Sequence, residues 1–304
     1  MVTTTFMSSS DFAADRRYDY ARDLQAQGHL VAAADLMRQA LAIAPNFASA
    51  WFALGDIGER LNQHGDAIAA FREAVRADVD DRHGASLRLM RLGAAPLASM
   101  PPGYVRTLFD QYADRFEASL VGELGYRGPA ILFDAVKAVR DPLHVTRAID
   151  LGCGTGLAAR AFAGHVDAFV GVDLAPQMIA RARATGVYEE LIVADMVEGL
   201  LGQPDASFDL VLAADAAVYL ADIAPLARDV ARVLSTRGVF ALTVETHQGD
   251  GVLLGRGLRY AHSPDHVRGA LAAAGLALHR LDHLSARNED GVAVPGLVVV
   301  ATRE

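Results

Sequence analysis

Asp150-Leu151-Gly152-Cys153-Gly154-Thr155-Gly156 is the stretch that decides the fold. The short apolar run 146–150 leads into it, and Leu157-Ala158-Ala159 opens a helix directly after it. A strand, a glycine turn and a helix bring backbone N–H groups and a helix N-terminus to one point, which suits a polar or charged ligand. Glycines are needed there because side chains would block the close approach. Gly154-x-Gly156-x-x-Ala159 also satisfies the dinucleotide-binding fingerprint, so the turn alone leaves two ligand classes open.

Moving outward, two more strand-like runs end on carboxylates. Phe169-Val170-Gly171-Val172 ends on Asp173, and Leu191-Ile192-Val193-Ala194 ends on Asp195. An acid about 20 residues past the glycine turn is placed to accept both hydroxyl protons of a ribose. That feature is shared with dinucleotide folds. Asp150, two residues before Gly152, is not: a dinucleotide site normally has an apolar residue there.

With Asp150, Asp173 and Asp195 closing three successive strands, the segment closely resembles the cofactor-binding half of class I S-adenosylmethionine-dependent methyltransferases. The resemblance implies a Rossmann-like sheet of seven strands with the last one inserted antiparallel. It implies S-adenosylmethionine as cofactor, bound by Asp150, Gly152, Gly154, Gly156, Asp173, Asp195 and Met196. Asp150 would sit near the amino end of the cofactor, Asp173 on the ribose, and Asp195 with the Met196 N–H on the adenine. Leu174 and Met178 either flank the adenine or fill core. Cys153 reads as a small packed residue rather than a nucleophile.

Upstream, Phe109-Asp110-Gln111-Tyr112-Ala113-Asp114-Arg115-Phe116 resembles the opening of many small-molecule methyltransferases. The apolar period predicts one helix over 104–124, followed by a second over 129–139. By that resemblance Tyr112 and Phe116 close the methionine end of the pocket; otherwise the helix is plainly amphipathic. Downstream, strands are predicted at 208–213 and 239–243, helices at 222–234 and 265–274, and a final strand pair at 276–281 and 297–302. Ligands in open α/β sheets bind at the carboxyl ends of strands. That rule places Asp215, Tyr219 and His247 near the methyl donor, with His262 in a long loop that could fold over the same mouth.

Methyl transfer from a sulfonium needs mostly alignment and a dry site; a base is needed only for a protonated acceptor. His247, then Tyr219 and His262, are the candidates, each of which is also readable as an ordinary loop residue. No Asn/Asp-Pro-Pro-Tyr follows the fourth strand, which argues against nucleobase amino-methylation. No convincing acidic cluster marks a metal-assisted site, so no metal is expected.

The front of the chain reads differently. Residues 48–81 carry Trp51, Leu54, Gly55, Gly58, Ala67, Phe71 and Ala74, a pattern that resembles a tetratricopeptide (TPR) repeat. A shift of roughly 34 residues, the period of that family, returns Tyr20, Ala21, Ala33, Met37, Ala40 and Pro45. A partial third unit covers 82–92. Three prolines and a glycine within 94–103 mark a boundary. The expected layout is a TPR-like all-α module at 1–93, a linker at 94–103 and a methyltransferase domain at 104–304. That domain divides into lid helices at 104–140 and a core at 146–304. The whole resembles bacterial predicted methyltransferases with N-terminal repeats. So short a stack needs a neighbour to bury its faces, which leaves a protein partner, a homodimer or a structural spacer open.

The net charge of −9 repels polyanions, so nucleic acid is not expected as a partner. A single cysteine excludes internal disulfides, and the N-terminus lacks a signal-peptide pattern. Apolar runs are too short to span a bilayer. The expectation is a cytoplasmic enzyme that methylates a small-molecule acceptor. The alternatives are methylation of a protein recruited by the repeats, a non-catalytic adaptor that only binds the cofactor, and a nicotinamide oxidoreductase. Asp150 and Asp195 oppose the last.

Overall fold

The computed structural model describes residues 6–304, apart from the side chains of residues 119, 121 and 123. The chain divides into two compact units, Met1–Leu108 and Phe109–Glu304.

The first unit is all-helical: α1 (Phe12–Ala26), α2 (Leu30–Ile43), α3 (Ala48–Arg60), α4 (His64–Ala77) and α5 (Ala85–Arg91). α1 packs on α2, and α3 on α4. Small residues set the second contact. A Cβ on Gly55 would come within 2.5 Å of the Phe71 ring, and one on Gly58 would stand 3.2 Å from Ala67. Asp11 caps α1 by accepting from the Ala13 and Ala14 N–H groups. The proline-rich segment packs within this unit: a Cβ on Gly103 would meet the Asp80 carbonyl oxygen at 2.3 Å. α6 (Pro102–Tyr112) runs across the division between the units.

The second unit is a twisted sheet with helices on both faces. Its strands are β1 (Val145–Leu151), β2 (Val166–Asp173), β3 (Glu190–Val193), β4 (Phe208–Ala213), β5 (Leu234–Glu245), β6 (Val252–Leu254), β7 (Tyr260–His262), β8 (Leu276–His283), β9 (Asn288–Glu289), β10 (Val292–Ala293) and β11 (Gly296–Arg303). The main order is β3-β2-β1-β4-β5-β11-β8. The first five run parallel; β11 is antiparallel to both β5 and β8. The expected insertion of the last strand is therefore observed.

Side chains alternate across this sheet as the period of two demands. Ile149, Leu151, Val170, Val172, Val211 and Leu242 enter one apolar layer, beneath α10 (Met196–Leu201), α11 (Ala224–Val233) and α12 (Pro264–Ala273). Ala148, Phe169, Leu210, Leu212 and Ala241 enter the other, beneath α7 (Gly128–Val139) and α8 (Leu157–Phe162). α9 (Pro176–Ala184) covers β2 and β3.

Three expectations need correction. The helix predicted over 104–124 breaks after Tyr112 into a 3₁₀ turn at Ala113–Arg115 and a π-type turn at Ala118–Glu123. Gly125, at φ +58°, ends this segment in a conformation that glycine favours. The fifth strand runs on at both ends of 239–243, because Leu234 already pairs with Phe208. The loop expected around His262 is a β6–β7 hairpin, whose β7 adds to the sheet beside β5 through Glu245 and Ala261. His262 is therefore an interior strand residue.

Candidate cofactor and acceptor site

The glycine turn does what its composition implies. Gly152, Gly154 and Gly156 all have positive φ, at +68°, +54° and +90°. A Cβ on Gly152 would strike the Ala216 Cβ at 2.4 Å, so the exit of β1 lies against the exit of β4. The turn is fixed to β2 by the Gly152 and Cys153 N–H groups, which donate to the Val172 carbonyl at 2.8 and 2.9 Å.

Asp150 ends β1 with only 1 % of its surface exposed. Its Oδ2 accepts from the Tyr188 hydroxyl at 2.7 Å, while Oδ1 has no hydrogen-bond partner among the described residues. Burial pushes its carboxyl up to about 6, against the Tyr188 bond. Asp173 accepts from the Gly154 N–H and the Ala175 N–H, both at 2.8 Å. Burial raises it to about 6 as well, opposed by those two bonds. An ionised carboxylate can take roughly four hydrogen bonds, so Asp173 retains acceptor capacity for a diol. Asp195 is half-buried and caps α10, accepting from the Val197 N–H at 2.9 Å.

An unpartnered buried oxygen beside a side-chain-free turn fits a cationic group with a polar chain, such as the amino end of S-adenosylmethionine. Met196 lies by the same turn, its sulfur 3.8 Å from a Cβ placed on Gly152. Leu174 is half-buried. Met178 is wholly buried with Ala113 and Ala175 beneath Phe109 and Phe116, so its packing is that of a core residue.

The lid aromatics gather over this turn. The Phe116 ring is 3.7 Å from a Cβ placed on Gly154. Tyr112 and Phe109 each meet Phe116 edge-on, and Phe109 meets Tyr219 at a centroid distance of 5.4 Å. Asp110 accepts from the Gln177 N–H at the start of α9, and Asp114 pairs with Arg181. Asp110 was quoted in the sequence motif, but nothing in its pattern signalled this anchoring role.

Beyond β4 the character changes to a charge network. Asp215 follows β4 with φ +56°, an uncommon value for a residue other than glycine. Its carboxylate pairs with Arg287, which also pairs with Glu245 at the end of β5. Arg259 joins Glu245 at 2.5 Å and Glu289 at 2.6 Å. Burial raises the Asp215 carboxyl, and Arg287 opposes that rise. The nearby Tyr126 hydroxyl is pushed well up by burial and by the Asp215 charge. Arg287, Arg259, Glu245 and Tyr126 were not among the expected site residues, since no local pattern links positions so far apart.

The two histidine candidates differ: His247 is hydrogen-bonded within its own loop, whereas neither ring nitrogen of His262 has a hydrogen-bond partner among the described residues. His247 accepts from the Gly249 N–H through Nδ1 at 3.1 Å and lies 3.2 Å from the Gly251 carbonyl through Nε2. His262 is fully buried and stacks on His266 at 5.4 Å. Burial, then His266, lowers its imidazole to about 4, so it is neutral at pH 7.

Residues 149–242 match the family described as "Methyltransferase domain". YcgJ, an uncharacterized methyltransferase of Bacillus subtilis, is 34% identical over 128 residues, which is 40% of this chain and 50% of the relative. A ubiquinone biosynthesis O-methyltransferase of Xylella fastidiosa is 30% identical over 142 residues, 43% of this chain and 58% of the relative. The chain thus spans about half the length of the curated relatives it matches. The solved structure of Burkholderia thailandensis 1,6-didemethyltoxoflavin-N1-methyltransferase, with S-adenosylhomocysteine bound, superposes with TM-score 0.50 at 18% identity. That match covers 69% of this chain and 92% of the other, and at such identity it shows the fold alone. Residues 149–242 are thus similar to a methyltransferase domain, within a sheet that shares the methyltransferase fold.

Proposed function

We propose that this protein transfers a methyl group from S-adenosylmethionine to a small-molecule acceptor. The observation that carries the reading is the buried, half-partnered Asp150 carboxylate beside the glycine turn. The cofactor supplies a methyl already activated by a sulfonium charge. Asp150 takes its ammonium group, Asp173 its ribose diol, and Asp195 with the Met196 N–H its adenine. Gly152, Gly154 and Gly156 admit the chain between these points. Tyr112 and Phe116 close the methionine end and exclude water, which strengthens the electrostatic contacts beneath them.

Where the acceptor arrives protonated, Tyr219 is the favoured group to receive or relay its proton. Its ring packs on the lid, whereas His247 is bonded within its own loop and His262 is enclosed. The small-molecule class follows the ubiquinone-type relative; the fold by itself names no acceptor. The helical unit is read as TPR-like on the Gly55 and Gly58 contacts, and the single cysteine fits a reducing compartment such as the cytoplasm. Among the described residues, no helix is long and apolar enough to cross a membrane.

The test is turnover. Purified protein with S-adenosylmethionine and a panel of phenols, hydroxy acids and acyl carboxylates should release S-adenosylhomocysteine with at least one member. Release with no small molecule, but with a protein fraction, would move the reading to protein methylation.

A further inference from the structure

Asp150 has a neighbour that the glycine motif does not contain. Tyr188 lies in the turn between α9 and β3, 38 positions further on, and its hydroxyl donates to Asp150 Oδ2 at 2.7 Å. Two glycines make room for the ring. A Cβ on Gly156 would come within 3.1 Å of it, and one on Gly171 within 2.9 Å. Phe169 meets it edge-on at 6.1 Å. The phenol therefore reaches the carboxylate from the α9 side of the sheet, and a single Asp150 oxygen, Oδ1, is left without a hydrogen-bond partner among the described residues.

We propose that Tyr188 is a positioning residue for the methyl donor: it holds the Asp150 carboxylate in one orientation and in its ionised form, with Oδ1 kept for the cofactor ammonium. This rests on the cofactor reading above. A phenol that donates to a carboxylate favours the charged form, in opposition to the burial that disfavours it. The other titratable groups around Asp150 are Asp173 at the end of β2, Cys153 in the glycine turn and Tyr126 ahead of α7. None of these is a donor to the carboxylate in the structure, and the Asp173 charge disfavours a second ionised acid beside it. Tyr188 is thus the larger offset to burial, with the Ala159 N–H a smaller one, and its own hydroxyl is held protonated by burial and by the Asp150 charge.

The test is calorimetric titration with S-adenosylhomocysteine, which keeps the ammonium group, from pH 5.5 to pH 8. Tyr188→Phe keeps the ring in its glycine slot and removes only the donor. With the Asp150 carboxyl raised by about one unit, affinity should fall about eightfold at pH 5.5 and less than about twofold at pH 8. Asp173 titrates in both proteins, so the difference between them reports Asp150. Thermal unfolding without ligand checks that the variant folds. In an Asp150→Asn background, Tyr188→Phe should no longer alter the pH dependence. Equal weakening at every pH, or an unchanged effect in the Asp150→Asn background, would overturn the positioning role and leave the cofactor reading intact. Wild-type protein that binds no thioether at any pH would remove both.

Discussion

The exits of β1 and β2 and the exits of β4 and β5 face the same edge of one sheet, yet they are built by opposite means. At the first pair, backbone does most of the work. Glycines with positive φ, two N–H groups on the Val172 carbonyl and two more on Asp173 set the shape. At the second pair, side chains do it: Asp215, Glu245, Arg259 and Arg287 come from four separate segments and neutralise one another while largely buried. The first construction suits a ligand that is always the same; the second can vary its chemistry without disturbing the turn. Loop variation on a constant scaffold is the usual division between cofactor and acceptor.

The strongest way to break this comparison is Arg287→Met. Removing the shared cation strands the Asp215 carboxylate and leaves Glu245 with Arg259 alone, and the expected cost is about 3 kcal/mol in urea unfolding at pH 7. Adding Asp215→Asn should recover more than half of it, since Glu245 still has Arg259. A loss near zero would mean that packing, not charge, holds the β4 and β5 exits.

Gly152→Ala attacks the other construction. The added methyl would overlap Ala216 and sit at a φ that L side chains rarely adopt, so a loss of about 2–4 kcal/mol is expected by thermal or urea unfolding. Gly154→Ala sharpens the contrast. Its Cβ meets Phe116 only at ordinary contact distance, which leaves the backbone penalty alone, about 1 kcal/mol.

Between these in size, and opposite in sign, stands Asp150→Asn. The Asp150 carboxyl is raised to about 6 in the folded protein from an unfolded value near 3.8. A raised carboxyl favours folding in its protonated form, so its contribution is fully present below pH 3.8 and lost as pH rises through 6. The ligand-free variant should therefore be more stable than wild type at pH 7.5, by about 2 kcal/mol, with the gain vanishing by pH 4. A variant of unchanged or lower stability at pH 7.5 would show that Asp150 carries no such strain.

What was legible in the sequence follows the same line. Strand, turn and acid at 146–156 and at 169–173 are local patterns, and both stand where they were expected. So does the antiparallel final strand, because turn signals and apolar runs delimit it. The β6–β7 hairpin was missed: Val252–Leu254 and Tyr260–His262 are three residues each, too short to show a period, and glycines flank them. The broken lid was missed because Ala113 to Glu123 keeps helical spacing while Asp110 and Asp114 tie its start to α9. Tyr188 and Arg287 had no local signal, since each acts on a residue tens of positions away.

The central claim is that the glycine turn and its carboxylates form a site for S-adenosylmethionine. Its most direct test is calorimetric titration of the purified protein with S-adenosylhomocysteine, with NADH and the Asp173→Ala variant as controls. Micromolar binding of the thioether, lost in the variant and absent for NADH, is the predicted result. Binding of NADH without binding of the thioether would contradict the claim and make the site a dinucleotide pocket.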